Sequence, residues 1–192
     1  MNNKNTLILV AGLMAMVFVA ASVFAYYPLS ITVSLIEPPV KFITGSNSNQ
    51  DDLGSDNFGQ SYTITVNLGS NNTSASVTIH PTYQKTYYKD VLRINNSDSK
   101  AYNVSIRVES MKGFPAGSYI KLKIYNSGAS RAVEPIKTVS LTPTDTVNIG
   151  MLNRESTWEV DIEVYIPEGT TLPLSATASL QLIYTPSNEK PP

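Results

Sequence analysis

Trp158-Glu159-Val160-Asp161-Ile162-Glu163-Val164-Tyr165-Ile166 alternates large apolar residues with acidic or polar ones along its whole length. Successive side chains of a β-strand point to opposite faces, so this pattern predicts a strand with one apolar and one polar face. We expect the apolar face, beginning with Trp158, to pack in a core. We expect Glu159, Asp161 and Glu163 to face water, as in an antiparallel sheet covered on one side only.

The same period of two recurs along most of the chain. It is found in residues 61–68, 77–80, 92–95, 102–109, 120–124, 136–141 and 174–184. Turn residues separate these segments, and no helical period longer than a turn or two occurs after the leader. The chain is rich in Ser, Thr, Asn, Val, Ile and Tyr, which favour strands and turns over helices. This predicts an all-β fold, a two-sheet antiparallel sandwich of the jelly-roll or immunoglobulin kind.

The first 25 residues have the three-part organisation of a signal peptide. Lys4 provides a basic start, the run from Leu7 to Phe24 is almost wholly apolar, and a cleavage site is predicted between Ala25 and Tyr26. An uncleaved membrane anchor and a type IV pilin leader, cut before the apolar run, are the alternatives. In each case the bulk of the chain lies outside the cytoplasm, so the protein is expected to be secreted or at the cell surface.

A second alternating stretch directly follows the leader. Leu29-Ser30-Ile31-Thr32-Val33-Ser34-Leu35 places four large apolar residues, Leu29, Ile31, Val33 and Leu35, on one face. Glu37-Pro38-Pro39 ends it, because proline lacks an amide donor, and these prolines are expected to form a spacer. The segment is either an ordinary first strand of its own domain or a donor strand that completes a neighbouring copy.

These features divide the chain into five parts. They are the signal peptide (1–25), the donor strand with its proline spacer (26–43), a polar loop (44–60), the sandwich domain (61–185) and a polar tail (186–192). In the loop, Asp51, Asp52, Asp56 and Asn57 supply oxygen atoms of the kind that Ca²⁺ binds. Their spacing matches no EF-hand, and a solvated loop is the preferred interpretation.

Composition excludes several classes of function. The chain has no cysteine, so neither disulfides nor thiol chemistry is expected. Its net charge of −1 gives no basic surface for nucleic acid. His80 is the only histidine and is expected at the surface, and no nucleophile motif accompanies it. We therefore expect no enzymatic activity, no cofactor and no metal, with membrane contact only through the leader during export.

Other polar and aromatic motifs are less specific. Four N-glycosylation sequons begin at Asn71, Asn72, Asn95 and Asn103, the last on a polar strand face and the others in or near turns. Tyr83, Tyr87 and Tyr88 form either an adhesive surface or strand-edge packing, and the sequence leaves both interpretations open.

Two parts of the chain carry a family resemblance. The stretch 88–96 followed by 101–106 resembles TasA/camelysin-type biofilm fibre subunits: a strand ending in Asn, a short polar turn and a second alternating strand. The stretch 158–164 followed by 174–184 resembles the closing strands of the same domain. A signal peptide, a free strand and a cysteine-free sandwich also follow one another in archaeal bundling pilins and surface threads. The resemblance implies a jelly-roll subunit that polymerises by donor-strand exchange and has no catalytic residues.

Together these observations predict a structural subunit of an extracellular filament, such as a pilus, a thread or a biofilm matrix fibre. Its partners would be copies of itself, together with other filaments or a cell surface to which it adheres. The alternative is a monomeric, membrane-anchored surface sandwich that binds a glycan or a partner protein. A retained helix at 7–24 would favour that alternative.

Overall fold

The computed structural model describes residues 3, 4, 6–8, 10, 27–34, 36–50, 63–141, 145–173 and 175–186. They fall into two units, Met1–Ile36 and Glu37–Pro192. In the first unit the described residues up to 10 are helical, and residues 27–34 lie outside every helix and strand. None of the helices formed by described residues has the length and apolar character needed to cross a membrane.

The second unit is built from strands. They are β1 (Val40–Thr44), β2 (Ile64–Leu68), β3 (Ala75–Ile79), β4 (Gln84–Asn96), β5 (Tyr102–Lys112), β6 (Tyr119–Asn126), β7 (Lys137–Ser140), β8 (Thr146–Leu152), β9 (Thr157–Ile166) and β10 (Thr177–Thr185). A five-stranded sheet has the order β1-β4-β9-β6-β7, a three-stranded sheet has the order β10-β5-β8, and β2 and β3 form a hairpin. The strand pairs are antiparallel.

The two larger sheets share one hydrophobic core. Ile94 and Ile124 of the five-stranded sheet belong to the same buried cluster as Val104 and Val108 of the three-stranded sheet. Trp158 is also buried in this cluster, as predicted. The expectation of an all-β, antiparallel fold is confirmed.

Two strands were not recognised in the sequence. β1 is short and directly follows Pro38-Pro39, which end the alternating pattern of residues 29–35. β8 contains a β-bulge opposite Val104 and Ser105, which inserts an extra residue and breaks the period of two. At this bulge Gly150 has φ +129°, a conformation that L-residues rarely adopt.

The expectation that β9 has one wet face is wrong. Glu159, Asp161 and Glu163 are only 6%, 0% and 5% exposed. β9 lies in the middle of its sheet, between β4 and β6. Arg131 from the connection between β6 and β7 reaches Glu159 and Asp161, and Lys123 of β6 reaches Glu163. Alternation correctly assigned the two faces, but it carries no information about what covers the polar one.

Candidate assembly interface

We call residues 29–36 the N-terminal segment, and its described residues expose their apolar side chains. Leu29, Ile31 and Val33 are 81%, 77% and 73% exposed, and Ile36 is exposed as well. Leu35 lies outside the described residues. A stretch of large apolar side chains left in water is uncommon in a soluble protein and marks an interaction surface.

The chain is held to the sheet from Pro39 onwards. The carbonyl oxygen of Pro39 accepts hydrogen bonds from the Ser97 amide, at 3.0 Å, and from the Ser97 hydroxyl, at 3.1 Å. Lys41 donates to the carboxylate of Glu37 at 2.6 Å. Pro38 and Pro39 are half-buried and lead directly into β1. The predicted spacer is therefore the point at which the compact unit begins.

The edge strand β10 is poorly covered on its core side. Leu180, Leu182 and Tyr184 pair with Val108, Ile106 and Val104 of β5, so the paired residues share one face. On β5 those residues are 0%, 5% and 0% exposed, whereas Leu180 is 39% exposed, and Leu182 and Tyr184 are half-buried. The core face is therefore covered at β5 but accessible to solvent at the neighbouring strand β10.

The opposite edge of the same sheet is closed. On β8, Ile149 and Leu152 are buried in the core, and Val147 is half-buried. The outer strand β7 of the larger sheet has only four residues and begins at the exposed Lys137, two features that discourage strand addition. Among these described edges, β10 is the one on which a large apolar residue of the core face, Leu180, is exposed.

Glu159, Asp161 and Glu163, which we call the acidic row, form a second distinctive feature on the outer face of the five-stranded sheet. Lys123 and Lys121 of β6 lie directly opposite Asp161 and Glu163. Arg93 of β4 lies directly opposite Glu159. Each acidic residue thus has a basic residue on a neighbouring strand, an arrangement that stabilises strand pairing.

Asp161 is the centre of this network. Its two carboxylate oxygens accept hydrogen bonds from Arg131 Nε and Nη2 at 2.8 and 2.7 Å. The Tyr87 hydroxyl and the backbone amide of Asp90, the latter at 2.7 Å, also donate to it. Arg131 further contacts Glu159 at 2.8 Å, and its guanidinium lies over the Tyr125 ring. These contacts hold the connection between β6 and β7 against the sheet.

A bulge in β4 supplies the amide of Asp90. The register between β4 and β9 shifts between Tyr88 and Leu92, and Asp90 has φ +45°. Its carboxylate accepts hydrogen bonds from Arg93 Nε at 2.9 Å and from the Ser46 amide at 3.0 Å. Gly45 lies so close to this bulge that an added Cβ would be 1.7 Å from the Asp90 carbonyl oxygen. The beginning of the predicted polar loop is therefore fixed to the sheet.

The acidic row has a structural role in this arrangement. The carboxylates of Asp161 and Glu163 accept ion-paired hydrogen bonds from Arg131 and Lys123. In the described part of the chain, no group of His, Asp or Glu side chains is arranged to hold a metal ion. The row thus joins strands and a connecting segment through buried ion pairs.

Ion pairs with Arg93 and Lys123 lower the pKa values of the Asp90 and Glu163 carboxyl groups. Burial by itself would raise the pKa of Asp90, but hydrogen bonds from Arg93 and Ser46 outweigh it and lower the pKa below the ordinary value of 3.8. The hydrogen bond from Lys123 lowers the pKa of Glu163 below its ordinary value of 4.5, against the effect of burial. Both groups therefore stabilise the folded state in their charged form.

We expect acid to destabilise the domain through these groups. Their contribution to the free energy of unfolding is complete above the ordinary pKa values of 3.8 and 4.5, and it decreases as the pH falls through the lower folded values. Chemical denaturation at a series of pH values should show this decrease. Glu163→Gln should reduce stability at neutral pH and make the decrease below pH 4.5 shallower. An unchanged slope in this variant would contradict the assignment.

The other predicted residues are dispersed. Tyr88 is buried in the core, Tyr87 bonds to Asp161, and Tyr83 donates to the carbonyl oxygen of Thr170 at 2.6 Å. The three tyrosines therefore do not form one adhesive surface. His80 is half-buried rather than at the open surface.

The four sequons differ in accessibility. Asn71 is exposed and Asn72 is half-buried, while Asn95 is half-buried and donates to Thr157 Oγ1 at 2.9 Å. Asn103, expected on a polar strand face, is only 6% exposed in β5, between β10 and β8, so this face is covered. Among these sites, Asn71 offers the most accessible acceptor for a glycan.

Several predicted features lie outside the described residues. They are the cleavage site at Ala25 and Tyr26, the loop residues Asp51, Asp52, Asp56 and Asn57, and the tail from residue 187. These remain predictions from the sequence. No protein-family model matches the chain, and no curated protein matches it significantly.

Proposed function

We propose that this chain is a secreted structural subunit of an extracellular filament, such as a pilus, a thread or a biofilm matrix fibre. It polymerises by donor-strand complementation, in which the N-terminal segment of one subunit enters the groove of the next. The protein serves assembly, cohesion and surface attachment and carries out no catalysis. The observation that carries the proposal is the exposure of Leu29, Ile31 and Val33 in an alternating, uncharged stretch.

Burial of this segment exceeds the cost of immobilising a subunit at the low end of that cost's range, and other contacts are needed at the high end. Burying Leu29, Ile31, Val33 and Leu35 contributes about 1.5–3 kcal/mol each, or about 6–12 kcal/mol together. Immobilising one subunit costs roughly 4–15 kcal/mol. Main-chain hydrogen bonds along an open sheet edge, together with contacts between neighbouring domains, supply the remainder.

The geometry of such a contact produces a polymer. A subunit that donates one strand and accepts another uses two different surfaces, and a heterologous contact that does not close into a ring propagates as a filament. The predicted signal peptide agrees with an extracellular location. The resemblance to TasA/camelysin-type fibre subunits and archaeal bundling pilins supports the same function.

The proposal includes jelly-roll winding of the sandwich. The order β4-β9-β6-β7 in one sheet and the neighbouring pair β5-β8 in the other support it. In this arrangement the chain crosses between the sheets from β4 to β5, from β5 to β6, from β7 to β8, from β8 to β9 and from β9 to β10. Repeated crossing between two packed sheets is characteristic of jelly rolls.

We expect native material purified from its source to contain ordered fibres whose subunits begin at or near Tyr26. Electron microscopy and mass spectrometry of the subunit's N-terminus would test both points. A stable monomer at high protein concentration would contradict the proposal. A monomer that keeps residues 7–24 would instead favour a membrane-anchored binding module.

A further inference from the structure

We infer that the outer edge of β10, over residues 177–184, is the acceptor for the N-terminal segment of a second copy of this chain. This inference rests on the proposed function and identifies the surface that receives the donor strand. Among the strands that the structure describes, β10 pairs with β5 alone, so no described strand occupies the other side of Thr177–Tyr184, where an additional strand can pair.

The two elements match in length and in side-chain period. The donor presents four apolar residues at alternate positions, and β10 presents four on its core face. These are Leu29, Ile31, Val33 and Leu35 of the donor, and Ala178, Leu180, Leu182 and Tyr184 of β10. Alternate side chains of an added strand lie on the same face as those of the strand it joins, so the donor would cover the accessible part of the core.

The chemistry of β10 also distinguishes it from a protected edge. Natural edge strands are usually short, or carry charges or proline that prevent further pairing. β10 has nine residues, and none of them is charged or proline. The donor residues from Leu29 to Ile36 likewise carry no charge, so no unpaired charge would be buried when the two meet.

The accessible surface favours β10 over β8 at the other edge of the sheet. Ile149 and Leu152 of β8 already lie in the closed core, whereas Leu180 is 39% exposed beside the fully buried Val108. An added strand removes apolar surface from water chiefly where that surface is still accessible, which is beside β10.

Disulfide cross-linking gives a direct test because the chain has no cysteine of its own. With the centres of the two elements aligned, an antiparallel donor places Ile31 beside Leu182, and a parallel donor places it beside Leu180. Ile31→Cys combined with Leu182→Cys or with Leu180→Cys should give a ladder of covalent multimers when filaments are oxidised. Ile31→Cys combined with Val147→Cys on β8 is the matched control and should give none.

The outcomes separate the inference from the proposed function. Filaments that cross-link through Val147, through neither edge, or only within single chains would overturn the acceptor assignment and leave the proposed function standing. The absence of filaments in the parent protein would overturn both the acceptor assignment and the proposed function.

Hydrogen exchange of unmodified filaments provides a measurement without mutations. Amides of β10 should exchange more than about tenfold more slowly in filaments than in monomers, and those of β8 should be unchanged; equal rates for β10 would also refute the assignment.

Discussion

Replacing both Ile31 and Val33 with Asp should abolish filament formation and leave secretion intact. Both side chains are largely exposed in the single chain, so the domain loses no packing. In the filament the variant would lose about 3–6 kcal/mol of apolar burial. It would also have to bury two carboxylates without partners, which adds several kcal/mol. Since each 1.4 kcal/mol is a factor of ten, association should weaken by more than about a thousandfold.

The matched control places the same charges on the other face of the same segment. Ser30→Asp combined with Thr32→Asp adds equal charge at neighbouring positions that alternate with the apolar ones. It should retain filaments under conditions in which the first variant shows only monomers. Electron microscopy and sedimentation of both secreted variants would measure the difference. Long fibres formed by the Ile31 and Val33 variant would show that the segment is not the donor.

Asp161→Ala should produce the largest loss of stability by a polar substitution. Asp161 is fully buried and accepts hydrogen bonds from Arg131, Tyr87 and the Asp90 amide. Removing it leaves the half-buried Arg131 guanidinium with fewer partners and the buried Asp90 amide without its acceptor. Breaking a buried pair in this way costs about 3–5 kcal/mol. Chemical denaturation at neutral pH would measure the free energy of unfolding.

Asp145→Ala is the control for this substitution. Asp145 is an exposed residue just before β8, and its backbone carbonyl, which accepts from the Val108 amide at 2.8 Å, is retained. We expect its effect to stay within about 0.5 kcal/mol. Similar losses for the two variants would show that the acidic row does not hold the β6–β7 connection to the sheet.

Strand identity was largely predictable from the chain itself. The period of two in 102–109 and 158–166 predicted β5 and β9, because alternation directly reports the two faces of a strand. It failed for β8, where the bulge at Gly150 interrupts the period. Complementary charges at alternating positions, Lys121 and Lys123 on β6 against the acidic residues of β9, were the available signal for the ion pairs. That signal was not recognised.

The chain's own order of residues thus established an antiparallel all-β protein and an uncharged, alternating apolar stretch at residues 29–36. Only the folded arrangement decided which polar faces are buried and which apolar strand face is accessible. Glu159, Asp161 and Glu163 are buried because β9 is central in its sheet and Arg131 reaches across its outer face. Leu180 is accessible because β10 is an edge strand. The physical reason is that alternation is local, whereas coverage depends on strands and loops far away in sequence.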